Sequence, residues 1–164
     1  MYDHIIPAFT RSLKALDAIL TKAEAHCAAK KIDPAVMVSL RLYPDMLPFT
    51  RQVLIACDHA KGASARLAAA EVPSFPDTET TFAELHARIA KTLDFISGFT
   101  PESYAGAADR MIAIKVGGRE MEFPAATYLA SYAVPNFYFH MTTAYAILRH
   151  NGVELGKTDF IGAA

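Results

Sequence analysis

At 164 residues the chain is the length of one domain, long enough to bury about two-thirds of its unfolded surface. Hydrophobic residues make up 52% and charged residues 20%, which excludes a disordered or a membrane-embedded composition. A formal net charge of −1 with no basic block leaves no electrostatic footprint for nucleic acid or for an anionic membrane surface.

Helical periodicity dominates the chain. Ile5, Phe9, Leu13, Leu16, Leu20 and Ala23 recur every three or four positions, which predicts one long first helix fading near Lys30 and Lys31. Asp33-Pro34 then reads as an N-cap followed by Pro in the first turn of a short helix through Leu40. Pro44 and Pro48 interrupt the next stretch. From Phe49 a second long helix aligns Val53, Cys57, Ala60, Ser64 and Leu67. The segment EVPSFPDTET has two prolines and no period, so a loop is expected. Thr81-x-x-Glu84 is a capping box opening a third helix, with Leu85, Ile89, Leu93 and Ile96 inward and Gly98 as its end.

The period then changes from helical to alternating. MIAIKVGGREMEF predicts a two-stranded hairpin turning at Gly117-Gly118, because Gly tolerates the positive φ of a tight primed turn. In that register Ile112 faces Phe123 and Ile114 faces Met121, while Lys115 meets Glu120 on the other side. The hairpin should therefore lie as a flap with its apolar face on a helical body. Pro124 opens a short helix through Tyr132, Pro135 is expected to break it, and a last long helix runs to Gly152. Four long amphipathic helices with short insertions predict a four-helix bundle, with residues 1–164 forming a single domain.

No apolar run approaches the roughly 18–20 residues that cross a bilayer. The opening MYDHIIPAFTR has no basic leader before an apolar core, and Cys27 and Cys57 form no CxxC pattern. The expected compartment is the reducing cytoplasm.

Bundles hold their sites among polar residues on inward stripes. On the last helix His140 falls on the stripe of Phe137, Met141, Ala144, Ile147 and Leu148, with Asn136 one turn earlier. That spacing lets two side chains grip one metal ion or one polar ligand, although an amide stands where a second imidazole would make a metal pair. The plainer alternative is a core histidine bonded to Tyr, Asn or a backbone carbonyl. Cys57, inward on the second long helix, could approach the last helix as a thiolate ligand or nucleophile, or serve as a small buried hydrophobe. Asp58 and His59 point roughly 100–200° away from it, so the three are not one cluster, though either could rim a pocket.

Arg41, Tyr43, Asp45, Arg51 and Gln52 gather at the entrance to the second long helix. There Arg51 could position an anionic ligand or pair with Asp45. Phe137, Tyr138, Phe139 and Tyr145 suit an apolar pocket or an interface. His4, His26 and His86 are expected to be solvated, and His150 to complement a helix C-terminus. The Walker A, GxGxxG, GxSxG and HExxH patterns do not occur.

The blocks RLYPDMLPFTRQVLIACDHAKGASARLA, FPDTETTFAELHARIAKTLDFI, VGGREMEFPAATYL and PNFYFHMTTAYAILRHNGVELGKTDFIG resemble a bacterial and fungal domain-of-unknown-function family. That family is placed in the DinB/YfiT-like metalloenzyme superfamily. The resemblance covers essentially the whole chain. It implies an all-α, DinB-like four-helix bundle of the up-down-down-up type, with short extra helices and a small hairpin near residues 110–123, often as a homodimer.

In active superfamily members three histidines hold zinc or nickel, one from the second helix and two from an HxxxH on the last. Carried over, the HxxxH falls on Asn136 and His140, so only the second position is kept. The second-helix ligand falls near Cys57, with His59 as the alternative. The implied metal set is His140, Cys57 and Asn136, and the implied ligand pocket adds Tyr138 and Arg51. Two functions follow as expectations. One is a non-catalytic bundle with a degenerate metal site that binds a small molecule or a partner. The other is a divergent metal-dependent transferase or hydrolase working around His140 and Cys57.

Overall fold

The computed structural model describes residues 1–162. It is mostly helical, with one small antiparallel sheet. Four long helices carry the body: α1 (Tyr2–Lys30), α3 (Phe49–Leu67), α4 (Phe82–Ser97) and α6 (Val134–His150). Helix α3 packs on both α4 and α6, while α1 lies against α4 and α6 and closes the core. Short α2 (Pro34–Ser39), α5 (Ala125–Tyr128) and α7 (Lys157–Ile161) fill the connections.

The local signals act where the sequence places them. Asp33 accepts from the Ala35 N–H at the start of α2, and Thr81 and Glu84 bond reciprocally at the start of α4. Every residue of the inward stripe on α1 is buried, as is the whole stripe of Val53, Cys57, Ala60, Ser64 and Leu67 on α3. The loop between α3 and α4 is strapped down by charge rather than by secondary structure. Phe75 lies within 4.1 Å of the ammonium groups of both Lys61 and Lys91, cation–π geometry on its ring.

Strands β1 (Met111–Val116) and β2 (Arg119–Pro124) pair in the expected register, Ile112 opposite Phe123 and Ile114 opposite Met121. Gly117 and Gly118 take φ of 56° and 82°, the positive pair that a type I′ turn demands. Ile112 and Ile114 are buried against the body, but Met121 remains exposed, so the apolar face is only partly covered. The hairpin is fixed at its base by Arg110. Its guanidinium donates to the Leu67 carbonyl at the C-terminus of α3 and to the Ala105 carbonyl. Tyr104 adds a bond to the Ser64 carbonyl of the same helix at 3.2 Å. The flap is thus tied to the end of α3.

One expectation is corrected here. Pro135 does not break the chain into two helices: residues 125–150 form a continuous helical rod with a π-turn at Leu129–Ala133. There the Val134 N–H bonds the Leu129 carbonyl, five residues back. In an α-helix the Pro135 ring would press on the carbonyl four residues earlier and leave it unbonded. A wider turn just before Pro135 relieves that conflict without ending the helix.

Candidate functional site

The site starts from a hydrogen bond across the α3–α6 seam. His140 is buried on α6, and its Nδ1 lies 2.7 Å from Oε1 of Gln52 on α3. Gln52 is itself buried and donates its amide to the Leu47 carbonyl at 3.0 Å, so its oxygen is the acceptor for the imidazole. The proton therefore sits on Nδ1 and the lone pair on Nε2. Burial holds His140 below the ordinary histidine range, so the ring is neutral near pH 7.

His59, two turns along α3 from Gln52, brings its ring to 5.9 Å from that of His140, with the planes only 15° apart. Tyr132, from the π-turn, stands edge-on to His59 at 5.8 Å. The His59 pKa is pushed down to about 4, chiefly by burial and then by His140, with Arg66 adding and Asp58 opposing. Two neutral imidazoles thus face each other.

His59 opens onto a cleft of about 160 Å³. Helix α3 gives it Asp58, His59 and Arg66, the helical run after the hairpin gives Tyr128 and Tyr132, and β1 gives Ile114 and Lys115. Arg66 donates to the Tyr128 hydroxyl at 3.4 Å. The Tyr128 and Tyr132 rings lie 5.8 Å apart at 23°, and Phe123 of β2 joins them 6.0 Å from Tyr132, so one wall is aromatic.

The expected site residues do not assemble together. His140 adjoins the cleft through His59. Asn136 turns its amide back onto the Tyr132 carbonyl at 2.7 Å, within its own helix. Cys57 is fully buried, and its thiol is pushed up to about 12, chiefly by burial. The groups that act on it, Thr92, Arg88, Asp58 and Glu79, belong to the α3–α4 side. Of the two α3 candidates it is His59 whose ring meets His140. Arg51 pairs with Asp77 of the α3–α4 loop, not with Asp45. Tyr138 is half-buried with its ring edge-on to Phe137 at 5.0 Å. Among the described residues no three of His, Cys, Asp and Glu converge on one point, so the donors present do not fit a three-ligand zinc or nickel centre.

Three further features were not legible from spacing alone. Arg66 and the Tyr128–Tyr132 wall were not singled out, although Gly62, one turn before Arg66 in an Ala-rich helix, is a local signal for a close approach. His86 is not solvated: it is held between Asp17 at Nδ1 and Glu24 at Nε2 (3.2 Å), a clamp from α4 to α1 that raises its pKa against burial. A larger hollow, about 830 Å³ along α1, lies among Ile6, Pro7, Arg11 and Asp159 and shares no residue with this cleft. Its charged groups are already engaged, Arg11 with the carbonyls of Ile161 and Gly162 and Asp159 with Lys22.

Fold and site together define a class: a helix bundle with a histidine pair in the seam of two long helices, capped by a β-hairpin. The chain belongs to the DUF1993 family, a domain of unknown function whose model matches residues 1–161. It is also similar to a crystal structure described as that of a DinB family member protein from Shewanella denitrificans. The two share 44% sequence identity and a TM-score of 0.91, covering 99% of this chain and 92% of the other. A comparison with curated proteins finds no match.

Proposed function

We propose that the protein is a non-catalytic, DinB-like four-helix bundle of the up-down-down-up type that binds a small molecule in the cleft beside His59. The observation that carries this reading is the engagement of the old ligand positions. His140 is bonded to Gln52, Asn136 is bonded to its own helix, and Cys57 faces α4. What is left open is a neutral histidine, an arginine and two tyrosines around a small cleft, a set suited to holding a polar ligand.

The metal-dependent alternative draws on one observation, the approach of His59 to His140, which would supply two nitrogen donors. Elemental analysis of protein purified without chelators, beside His140→Ala, separates the two. The ligand-binding reading expects no stoichiometric zinc or nickel and a small-molecule thermal shift that His59→Ala abolishes. One equivalent of metal, lost in His140→Ala, would overturn it. The family resemblance also supports a homodimer, for which light scattering should give twice the 17.8 kDa chain mass, and the two free cysteines suit a reducing cytoplasm.

A further inference from the structure

The cleft holds hydrogen-bond donors in excess of acceptors. Arg66 makes one side-chain bond, to the Tyr128 oxygen, and neither it nor Lys115 has a carboxylate partner among the described residues. Tyr128 is 1% exposed and accepts from Arg66, while its own O–H proton has no acceptor among the described residues. The carboxylate at the rim, Asp58, is already taken by Lys61 at 2.8 Å and by Arg88 at 3.0 Å. A half-buried guanidinium without a counter-charge is an unfavourable arrangement for folding alone.

The backbone accommodates it deliberately. The Arg66 side chain lies back along α3 over Gly62, so closely that a Cβ at position 62 would come within 2.4 Å of Nη1. The three nearest side-chain atoms to that point, Nη1, Cζ and Nη2, all belong to Arg66. Glycine in a helix interior is destabilising relative to alanine, and here what it provides is room for one cation to reach the cleft.

We infer that the cleft is an anion subsite, taking a small molecule that presents a carboxylate or phosphate group to Arg66, Tyr128 and Lys115, with its body against Tyr132. The inference rests on the ligand-binding reading and names the chemistry of that ligand. Arg66 supplies the planar fork, Tyr128 the neutral donor, Lys115 an exposed second charge from the flap, and His59 a polar edge.

The test uses three probes at constant ionic strength: benzoate, its uncharged isostere benzamide, and inorganic phosphate. Binding is followed by calorimetry and by the His59 imidazole resonances. Saturable binding of benzoate or phosphate, with benzamide at least roughly tenfold weaker, is expected. Arg66→Gln should weaken the anion at least roughly tenfold, Arg66→Lys should restore part of it, and Lys30→Gln should change nothing. Gly62→Ala should weaken it as well while the protein melts no lower than wild type, which separates displacement of Arg66 from loss of fold. Equal binding of benzoate and benzamide would overturn the anion subsite and leave the ligand-binding reading standing. Anion binding that survives Arg66→Gln, or silence from both anions, would also overturn it.

Discussion

The two flanks of α3 treat charge in opposite ways. Toward α4, Arg88 is buried yet meets three carboxylates, with Asp58 at 3.0 Å, Asp77 at 3.1 Å and Glu79 at 3.0 Å, and Lys61 shares Asp58. Toward α6 and the hairpin, Arg66 finds only a phenol, and two histidines are kept neutral. The first flank pairs its charges internally, leaving only Arg88 Nε and one Glu79 oxygen without a bond, and so fastens a proline-containing loop onto the body. The second leaves donors without acceptors from the protein, open to solvent or to the anion inferred above. The difference teaches where structure ends and a site begins on the same helix: not in the residue types, since each flank has its arginine, but in whether the partners come from the protein.

The strongest way to break that comparison is to remove each arginine in turn. Arg88→Met should destabilise by about 2–3 kcal/mol, because it removes the buried guanidinium on which Asp58, Asp77 and Glu79 converge. That corresponds to a fall of roughly 10 °C in Tm. Arg66→Gln should stay within about 1 kcal/mol, because it gives up one long bond to the Tyr128 hydroxyl and strands no charge. Urea denaturation of both variants measures the contrast, and equal losses would erase it.

Acid titration is the next largest effect. The folded-state pKa of His59 lies below its unfolded value, so the unfolded chain binds the proton first as pH falls. Stability should therefore drop between about pH 6.5 and 4, by about 3 kcal/mol at most for this one group. His140 acts in the same sense. His59→Phe should flatten that limb when unfolding is measured across the window.

Gln52→Leu probes the seam itself. It removes the acceptor of the His140 proton and leaves the Leu47 carbonyl without its donor. A loss of about 1–3 kcal/mol is expected, with the His140 resonance shifting in the NMR spectrum. The smallest effect belongs to His86, whose pKa is raised by Asp17 and Glu24. Its contribution is full at low pH and is lost as pH rises through the folded-state value, the reverse of His59. Because both carboxylates are partly exposed, His86→Gln should change stability by under about 1 kcal/mol, and only on the acid side.

Most of the architecture was readable because it is written in local signals. The Thr81–Glu84 box, the Asp33–Pro34 start and the Gly117–Gly118 turn each act within a few residues, and the pairing of Ile112 with Phe123 follows from the turn. Pro135 misled because its effect is conditional. A proline lacks one donor and crowds one carbonyl, but a single wide turn before it can absorb both defects.

The site was harder to read for a geometric reason. Periodicity shows which residues of α3 point inward, but not which neighbouring helix each inward residue meets. Cys57 and His59 are separated by two positions and so by about 200° around the helix axis. One meets α4 and the other meets α6, and only the packed bundle distinguishes them. Arg66 lay further out of reach, since its placement depends on what position 62 lacks.

The π-turn also has a consequence for sequence length. A π-turn is an α-helix carrying one surplus residue, so the rod from Ala125 to His150 contains a built-in insertion. Deleting a single residue such as Ala130, with Pro135→Ala to remove the ring that needs the wide turn, would convert it to ordinary helical winding without changing the phase of either flank. Tyr128 and His140 would keep their faces while the bulge that brings Tyr132 beside His59 disappeared. A change that in most helices rotates everything downstream by about 100° would here erase one aromatic wall and leave the rest of the rod in step.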